Sequence, residues 1–422
     1  MAATKLRLYY NSSKQEVKIP ASCTVEIVRP KVIHSVIDED DIIRIAFDHP
    51  TDSISLSNFI EKYDSFLLVL NDHARATPTP KILKHVLPLL AGKEFGVIIA
   101  SGTHGLPTEE DLKNQILGEF YDELRKRLVF HDSKNDDFLD LGKTRRRTPI
   151  LVNKIVSEYD AFIPINSIEP HYFAGFTGGR KSFLPGISAY ESIEKNHSMA
   201  LLEEARIMAL RGNPLHEDLE EAAKVIIEGH PTFAINVVLD GAHNIAGVFA
   251  GNIFKQFYKG TELAKEIYSP NVNQSPDVVI SVVHSPLDQN LYQAQKGFES
   301  CLLTLSPGGI LILVASCYDG IGPEDYAQML HSGKSPSDLA AKYEEIKMNY
   351  KLGWHKVGSI PPFLADKELW MVTLLDKSSL DRMFIKGFDS LQEAVDHAVA
   401  EKGQDCRFLV VEDSANVCPI LR

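Results

Sequence analysis

The chain is 422 residues long, 44% hydrophobic and 24% charged, a soluble profile too long for one core, so two domains are expected. Its 57 acidic residues against 44 basic ones give a net charge of −13, which excludes nucleic acid or an anionic membrane as a partner of the overall field but leaves room for a local anion pocket. No run approaches the roughly 18 consecutive apolar residues of a membrane span, and the opening MAATKLRLYYNSSKQEVKIP lacks a signal-peptide pattern, so a cytoplasmic protein without membrane contact is the expectation.

Residues 5–27 interleave polar and apolar side chains, which predicts a small antiparallel hairpin turning near Asn11-Ser12-Ser13. Apolar runs of strand type follow at 66–70 (FLLVL), 95–100 (FGVIIA), 128–131 and 161–165 (AFIPI), with helical patterns between several of them, for example at 81–90 and 108–117. Short buried strands alternating with helices predict an α/β fold with a mainly parallel sheet. Ligands of such sheets sit beyond the carboxyl ends of the strands. That position is held by 71–75 (NDHAR), 101–105 (SGTHG) and 166–171 (NSIEPH). The polar, proline-bearing stretch 269–275 (SPNVNQS) reads as a linker. Beyond it the alternation restarts: a strand over 277–283, a helix over 290–305, a strand over 309–315 and a helix over 335–349. The predicted architecture is two α/β domains, 1–268 and 276–422, with an interdomain cleft.

Cys23, Cys301, Cys317, Cys406 and Cys418 are scattered, odd in number and never at zinc spacing. They read as small buried apolar residues, so any metal is held by His, carboxylate or a cofactor. The densest functional stretch is 169–182, EPHYFAGFTGGRKS. A Gly-rich turn ahead of Lys-Ser resembles a phosphate cradle, because glycine lets backbone N–H groups approach an anion. The P-loop spacing, however, requires Gly-Lys where this chain has Arg180-Lys181, which excludes a plain nucleotide hydrolase. By itself such a turn is equally an ordinary surface loop. Function is favoured by His171 upstream and His197 downstream of Lys181. Most of the 15 histidines must be structural, but His104 and His171 both follow predicted strands of one sheet, on its ligand edge. Residues 143–147 (KTRRR) read as a solvated turn, 319–322 (DGIG) as a turn after a strand, and Trp354-His355-Lys356 as lining a cleft or as packing.

The segments NDHARATP (71–78), SGTHGLPTEEDL (101–112), EPHYFAGFTGGRKSFLPGIS (169–188), EKNHSM (194–199), GNPLHED (212–218) and PLDQNLYQAQK (286–296), taken in order, resemble the nickel-dependent lactate racemase family. The resemblance implies an isomerase: a racemase or epimerase of lactate or a related 2-hydroxyacid, working by reversible hydride transfer to a pyridinium. The implied cofactor is the nickel-pincer nucleotide, Ni(II)-pyridinium-3,5-bisthiocarboxylic acid mononucleotide, tethered covalently at Lys181 and delivered by cofactor maturation enzymes. His197 matches the protein ligand to nickel, a donor suited to that metal. His104 and His171 match the general acid/base pair. Asp72, Arg75 and Thr177 fall in cofactor-contacting motifs, and Arg75, Tyr292, Gln293 and Lys296 match substrate contacts, the last three from a second domain that closes over the substrate. Gly105-Leu106 and His284-Ser285 depart from the family pattern near the expected substrate space, a warning against assuming lactate.

These residue types suit that chemistry. The carboxylate of a 2-hydroxyacid makes its carbon-bound hydrogen weakly acidic, so loss of hydride is easier than loss of a proton once a base takes the hydroxyl proton. Each enantiomer places its hydroxyl on a different side, so two bases are needed, each within about 2.6–3.2 Å of the proton. Arg75 is suited to grip the carboxylate with both arms of its fork, and Lys296 adds a second charge. Two other classes compete: a hydrolase or lyase with a divalent ion on His104, His171 and His197, and a non-catalytic homologue. The first lacks an H-E-x-x-H pair; the second has no need for Lys181 and His197 together.

Overall fold

The computed structural model describes residues 3–11, 13–302 and 304–422. The chain folds as two compact units, one formed by Val32–Glu266 and the other by Met1–Lys31 together with Ile267–Arg422.

The Val32–Glu266 unit is built on a six-stranded sheet in the spatial order Ile245–Gly251, Ala234–Leu239, Ala161–Ser167, Ser65–Asn71, Glu94–Ala100, Leu128–Phe130. All neighbours run parallel except the first strand, which is antiparallel. The central runs are buried on both faces, which is why they are apolar throughout rather than alternating. Phe66, Leu68, Leu70, Val97 and Ile99 share one core with residues of the helices Glu39–Asp48, Leu56–Glu61 and Thr79–Val86. On the other face, Phe162 meets Phe183 at 5.8 Å.

This strand order fixes the site. After Ser65–Asn71 the chain lays two strands to one side, then returns to lay Ala161–Ser167 and Ala234–Leu239 on the other. Between Asn71 and Ser167 the outgoing connections therefore diverge and leave a crevice at the carboxyl edge.

The other unit has its own six-stranded parallel sheet, ordered Lys386–Phe388, Glu368–Val372, Ile310–Val314, Val278–Val282, Arg407–Val411, Thr24–Val28. Residues 1–31, expected in the first domain, thus belong with the second. Thr24 pairs with Arg407, and the hairpin of Thr4–Tyr10 and Ser13–Ile19 buries Leu6, Leu8, Val17 and Ile19 in one cluster with Trp370, Phe388 and Val395. The hairpin's expected turn includes Ser12, which lies outside the described residues. The stretch 269–275 is not a free tether, since Asn271–Val272 pairs with Ile420–Leu421 inside this unit. The expected helix over 290–305 spans Leu291–Cys301, with Leu303 outside the described residues, and that over 335–349 spans Pro336–Ile346. All five cysteines are free and buried, and Cys23 Sγ lies 3.7 Å from Cys406 Sγ. No helix among the described residues is long and apolar enough to cross a membrane.

Candidate active site

The loop after Asn71 is tied across the crevice by a relay of short side chains. Asn71 Nδ2 donates to Thr77 Oγ1 at 2.8 Å, Thr77 donates to Ser167 Oγ at 2.9 Å, and Ser167 donates to Glu169 Oε1 at 3.0 Å. Inside this loop Asp72 is 4% exposed, and its Oδ2 accepts from His104 Nδ1 at 2.6 Å. Burial pushes the Asp72 carboxyl up, but His104, Arg75 and His73 together outweigh it and hold the group below the usual carboxylate range. Arg75 lies 3.8 Å from Glu169, so the cation expected to take a substrate carboxylate already has a carboxylate beside it. Gln115 Nε2 holds the loop by donating to the carbonyls of His73 and Arg75.

The neighbouring loop carries His104. Ser101 Oγ donates to the His131 carbonyl at 2.8 Å, and Gly102, at φ +57°, donates its N–H to the Gly186 carbonyl at 3.0 Å. His104 is itself half-exposed, and past it Gly105 borders open space and Leu106 is exposed.

The third loop is the most constrained. Pro170 and His171 pair antiparallel with Phe176 and Gly175. The Thr177 hydroxyl accepts from Glu169 N–H at 2.8 Å and donates to the Ser167 carbonyl at 2.8 Å, so it serves the loop itself. Gly175 sits at φ +76°, where a Cβ would fall 2.2 Å from the Ala209 carbonyl oxygen, so the close approach of these segments demands glycine. Arg180 is fully buried, and its guanidinium donates to the carbonyls of Ala174 at 2.8 Å and Gly178 at 3.2 Å and stacks 4.3 Å over Phe257. Asn213 explains the GNPLHED motif: its Oδ1 caps the helix Pro214–Ile226 by accepting from Leu215 and His216 N–H, and its Nδ2 donates to the Phe173 carbonyl at 2.8 Å.

Phe173 is the hub. Its ring meets His171 edge-on at 4.5 Å and His197 at 5.0 Å, and Lys181 Nζ lies 5.9 Å from its centroid. Burial, with Lys181 and His104 acting in the same direction, pushes the His197 imidazole down to about 3, so the ring is neutral. His197 ends the helix Tyr190–His197, which is anchored by Asn196 Nδ2 donating to the buried Asp218 at 2.8 Å. Asp218 also accepts from Thr148 and from Thr144 of the 143–147 turn, whose Arg145 and Arg146 pair outward with Glu221 and Glu217.

His104, Asp72, Arg75, His171, Thr177, Lys181 and His197 therefore gather at one sheet edge of the Val32–Glu266 unit. Tyr292, Gln293 and Lys296 lie in the other unit, on the helix Leu291–Cys301, whose Asn290 cap accepts from Gln293 N–H at 3.0 Å. Phe173, Glu169 and Asn213 went unsingled from sequence. Each sits inside a quoted motif, and only the fold shows why.

Histidines, a buried carboxylate and a lysine thus stand at the carboxyl edge of a parallel sheet, where ligands of such sheets bind. Residues 10–209 match the lactate racemase N-terminal domain and residues 272–418 the lactate racemase C-terminal domain. The chain is 32% identical to the lactate racemase of Thermoanaerobacterium thermosaccharolyticum over 98% of each chain. It is 29% identical to that of Lactiplantibacillus plantarum over 91% of this chain and 92% of that one. The lactate racemase apoprotein structure from T. thermosaccharolyticum matches at a TM-score of 0.89 and 30% identity, over 99% of this chain and 100% of that one. A Thermotoga maritima protein shares the fold at a TM-score of 0.71 and 18% identity, over 93% and 100% of the two chains. The chain belongs to the lactate racemase family and is an isomerase.

Proposed function

We propose that the protein is a nickel-pincer-dependent racemase or epimerase of a 2-hydroxyacid, lactate or a related one, with His104 and His171 as its two acid/bases. The observation that carries this reading is the grouping around Phe173, which sets one neutral, half-buried imidazole, His197, beside one lysine, Lys181, with His171 on the same ring.

The donor set fits such a cofactor. A neutral imidazole is a competent nickel ligand. Among the described residues no group of three or more His, Cys, Asp or Glu converges to hold an ion, so a metal at His197 would take its remaining ligands from a bound molecule. This favours a cofactor-borne nickel over a hydrolase ion held by His104, His171 and His197. Lys181 would form the covalent tether and His197 would ligate nickel. Asp72 and Arg75 would contact the bound molecules, and Thr177 would support them by holding its loop. When bound, the nickel-pincer nucleotide supplies a reversible hydride acceptor; maturation enzymes would deliver it.

The chain's own residues handle protons and the carboxylate. His104 donates through Nδ1 to Asp72, so its Nε2 keeps a lone pair that can accept a hydroxyl proton. His171 Nδ1 accepts from Ala174 N–H at 3.3 Å, and its ring stacks on Tyr172 at 5.0 Å, contacts that orient the imidazole. Inversion needs one ring to take the proton of the departing enantiomer's hydroxyl and the other, as an imidazolium, to return one to the carbonyl oxygen of the keto-acid, with the roles exchanged in the reverse direction. Arg75 and Lys296 would hold the substrate carboxylate, with Tyr292 and Gln293 as further contacts.

The test is a racemisation assay of matured protein against a panel of single-enantiomer 2-hydroxyacids. Appearance of the opposite enantiomer of at least one supports the reading. Cofactor-loaded protein that inverts none of them overturns it.

A further inference from the structure

The helix Leu291–Cys301 turns a polar stripe inward. Gln295 is 2% exposed; its Nε2 donates to Ser359 Oγ at 3.0 Å, to Glu299 Oε1 at 3.0 Å and to the Lys356 carbonyl, and its Oε1 accepts from the Tyr326 hydroxyl at 2.6 Å. Ser359 also donates to Glu299. Lys356, 2% exposed in the turn Trp354–Ser359, sends its ammonium to the Tyr292 carbonyl and lies 4.3 Å over the Tyr292 ring. Tyr292 in turn meets Tyr326 edge-on at 5.2 Å.

A buried lysine is costly unless its charge is used. Burial pushes the Lys356 ammonium down, and Glu299 opposes that shift. The contacts reach three successive turns of one helix, at Tyr292, Gln295 and Glu299, from the two elements behind it, Trp354–Ser359 and Glu324–Leu330. Residues three and four apart share a helix face, so pinning these three sets the helix's rotation about its own axis. Lys296, four residues from Tyr292 and three from Glu299, borders the pinned stripe, Gln293 lies off it, and both are partly exposed.

We propose that Lys356 is a positioning residue: through the Tyr292 carbonyl and ring it fixes the rotation of the helix Leu291–Cys301, and thereby the placement of Gln293 and Lys296. The proposal rests on the reading that Gln293 and Lys296 act on the substrate.

A double-mutant cycle on matured, cofactor-loaded protein tests it. Lys356→Met should lower kcat/KM by roughly a hundredfold, the loss expected when reacting groups are displaced by about 1 Å. The cofactor mass adduct should not change. In the Lys296→Met background the same substitution should cost little more, because Lys356 acts through that side chain. Equal losses in both backgrounds, or none in either, overturn the proposal. Lys356→Met strands the Glu299 charge, so if it fails to fold, Lys356→Met/Glu299→Gln keeps the network neutral and is read the same way. If Lys296→Met alone leaves kcat/KM at the wild-type value, it is the substrate reading that falls. Hydrogen exchange then decides for Lys356: faster exchange at the amides of 292–296 in Lys356→Met sustains positioning, and unchanged exchange ends it.

Discussion

His104 Nδ1 and Asp72 Oδ2 are 2.6 Å apart, one ring nitrogen on a half-exposed histidine and one oxygen on a carboxylate that is almost completely buried. A carboxylate only accepts, so it assigns the proton to Nδ1 and leaves Nε2 as the nitrogen that would act as base in the proposed reaction.

Asp72→Asn should break that assignment at constant shape. The amide can turn its NH₂ toward Nδ1 and drive the ring proton to Nε2, so racemisation should fall by roughly 10²–10⁴, the span of a general base. Initial rates with each enantiomer, set beside the cofactor mass adduct, check it. Wild-type rates would remove Asp72 from any orienting role.

The two histidines should fail in opposite ways. His104→Ala and His171→Ala should each abolish net inversion, with losses of at least about 10²–10⁴. Each variant should still carry one enantiomer to the keto-acid in a single turnover, and the preferred enantiomer should differ between them. Rapid mixing with pure enantiomers and detection of the keto-acid reads this directly. A shared preference, or full racemisation in either variant, contradicts the pairing.

Tether and metal should separate. Lys181→Ala should lose the covalent cofactor mass while keeping its fold, as read by intact-mass spectrometry and circular dichroism. His197→Ala should keep the organic adduct through Lys181 but lose nickel, since one ligand of the site is gone. Metal analysis equal to wild type would take His197 out of the site, and an unchanged adduct in Lys181→Ala would do the same for Lys181.

Gly175→Ala should destabilise the Val32–Glu266 unit by roughly 3 kcal/mol or more, combining a positive φ with a backbone clash. The Ala209 carbonyl oxygen stands 2.2 Å from the new Cβ, and backbone has little freedom to retreat. The denaturation midpoint measures it; a midpoint equal to wild type would mean the loop yields easily.

The strands of the first sheet were legible because they are buried on both faces, and FLLVL or AFIPI cannot be placed otherwise. Their carboxyl ends then marked 71–75, 101–105 and 166–171, where Asp72, His104 and His171 stand. Local pattern could not show that Arg180 binds the carbonyls of its own loop, because a buried arginine and a phosphate-binding one have the same surroundings in sequence. Phe173 was equally hidden, since an aromatic becomes a hub only when His197, 24 positions on by number, folds back against it. The division of the chain was misread for a related reason. The strand Thr24–Val28 finds its neighbour at Arg407–Val411, and no periodicity announces a pairing at that separation.

That pairing also sets a schedule. Cys23 and Cys406, which touch beside it, are 383 residues apart in the chain. At about 5–20 residues per second a ribosome needs roughly 20–75 s to make the intervening stretch. Throughout that interval Thr24–Val28 is an unmatched strand, open to pairing with other chains. Meanwhile all of Val32–Glu266 emerges and can close its own sheet. Biogenesis should therefore run from the inside out: the guest, which carries the histidines and the lysine, is complete before its host, and chaperones that shield nascent β edges should engage the first 31 residues longest.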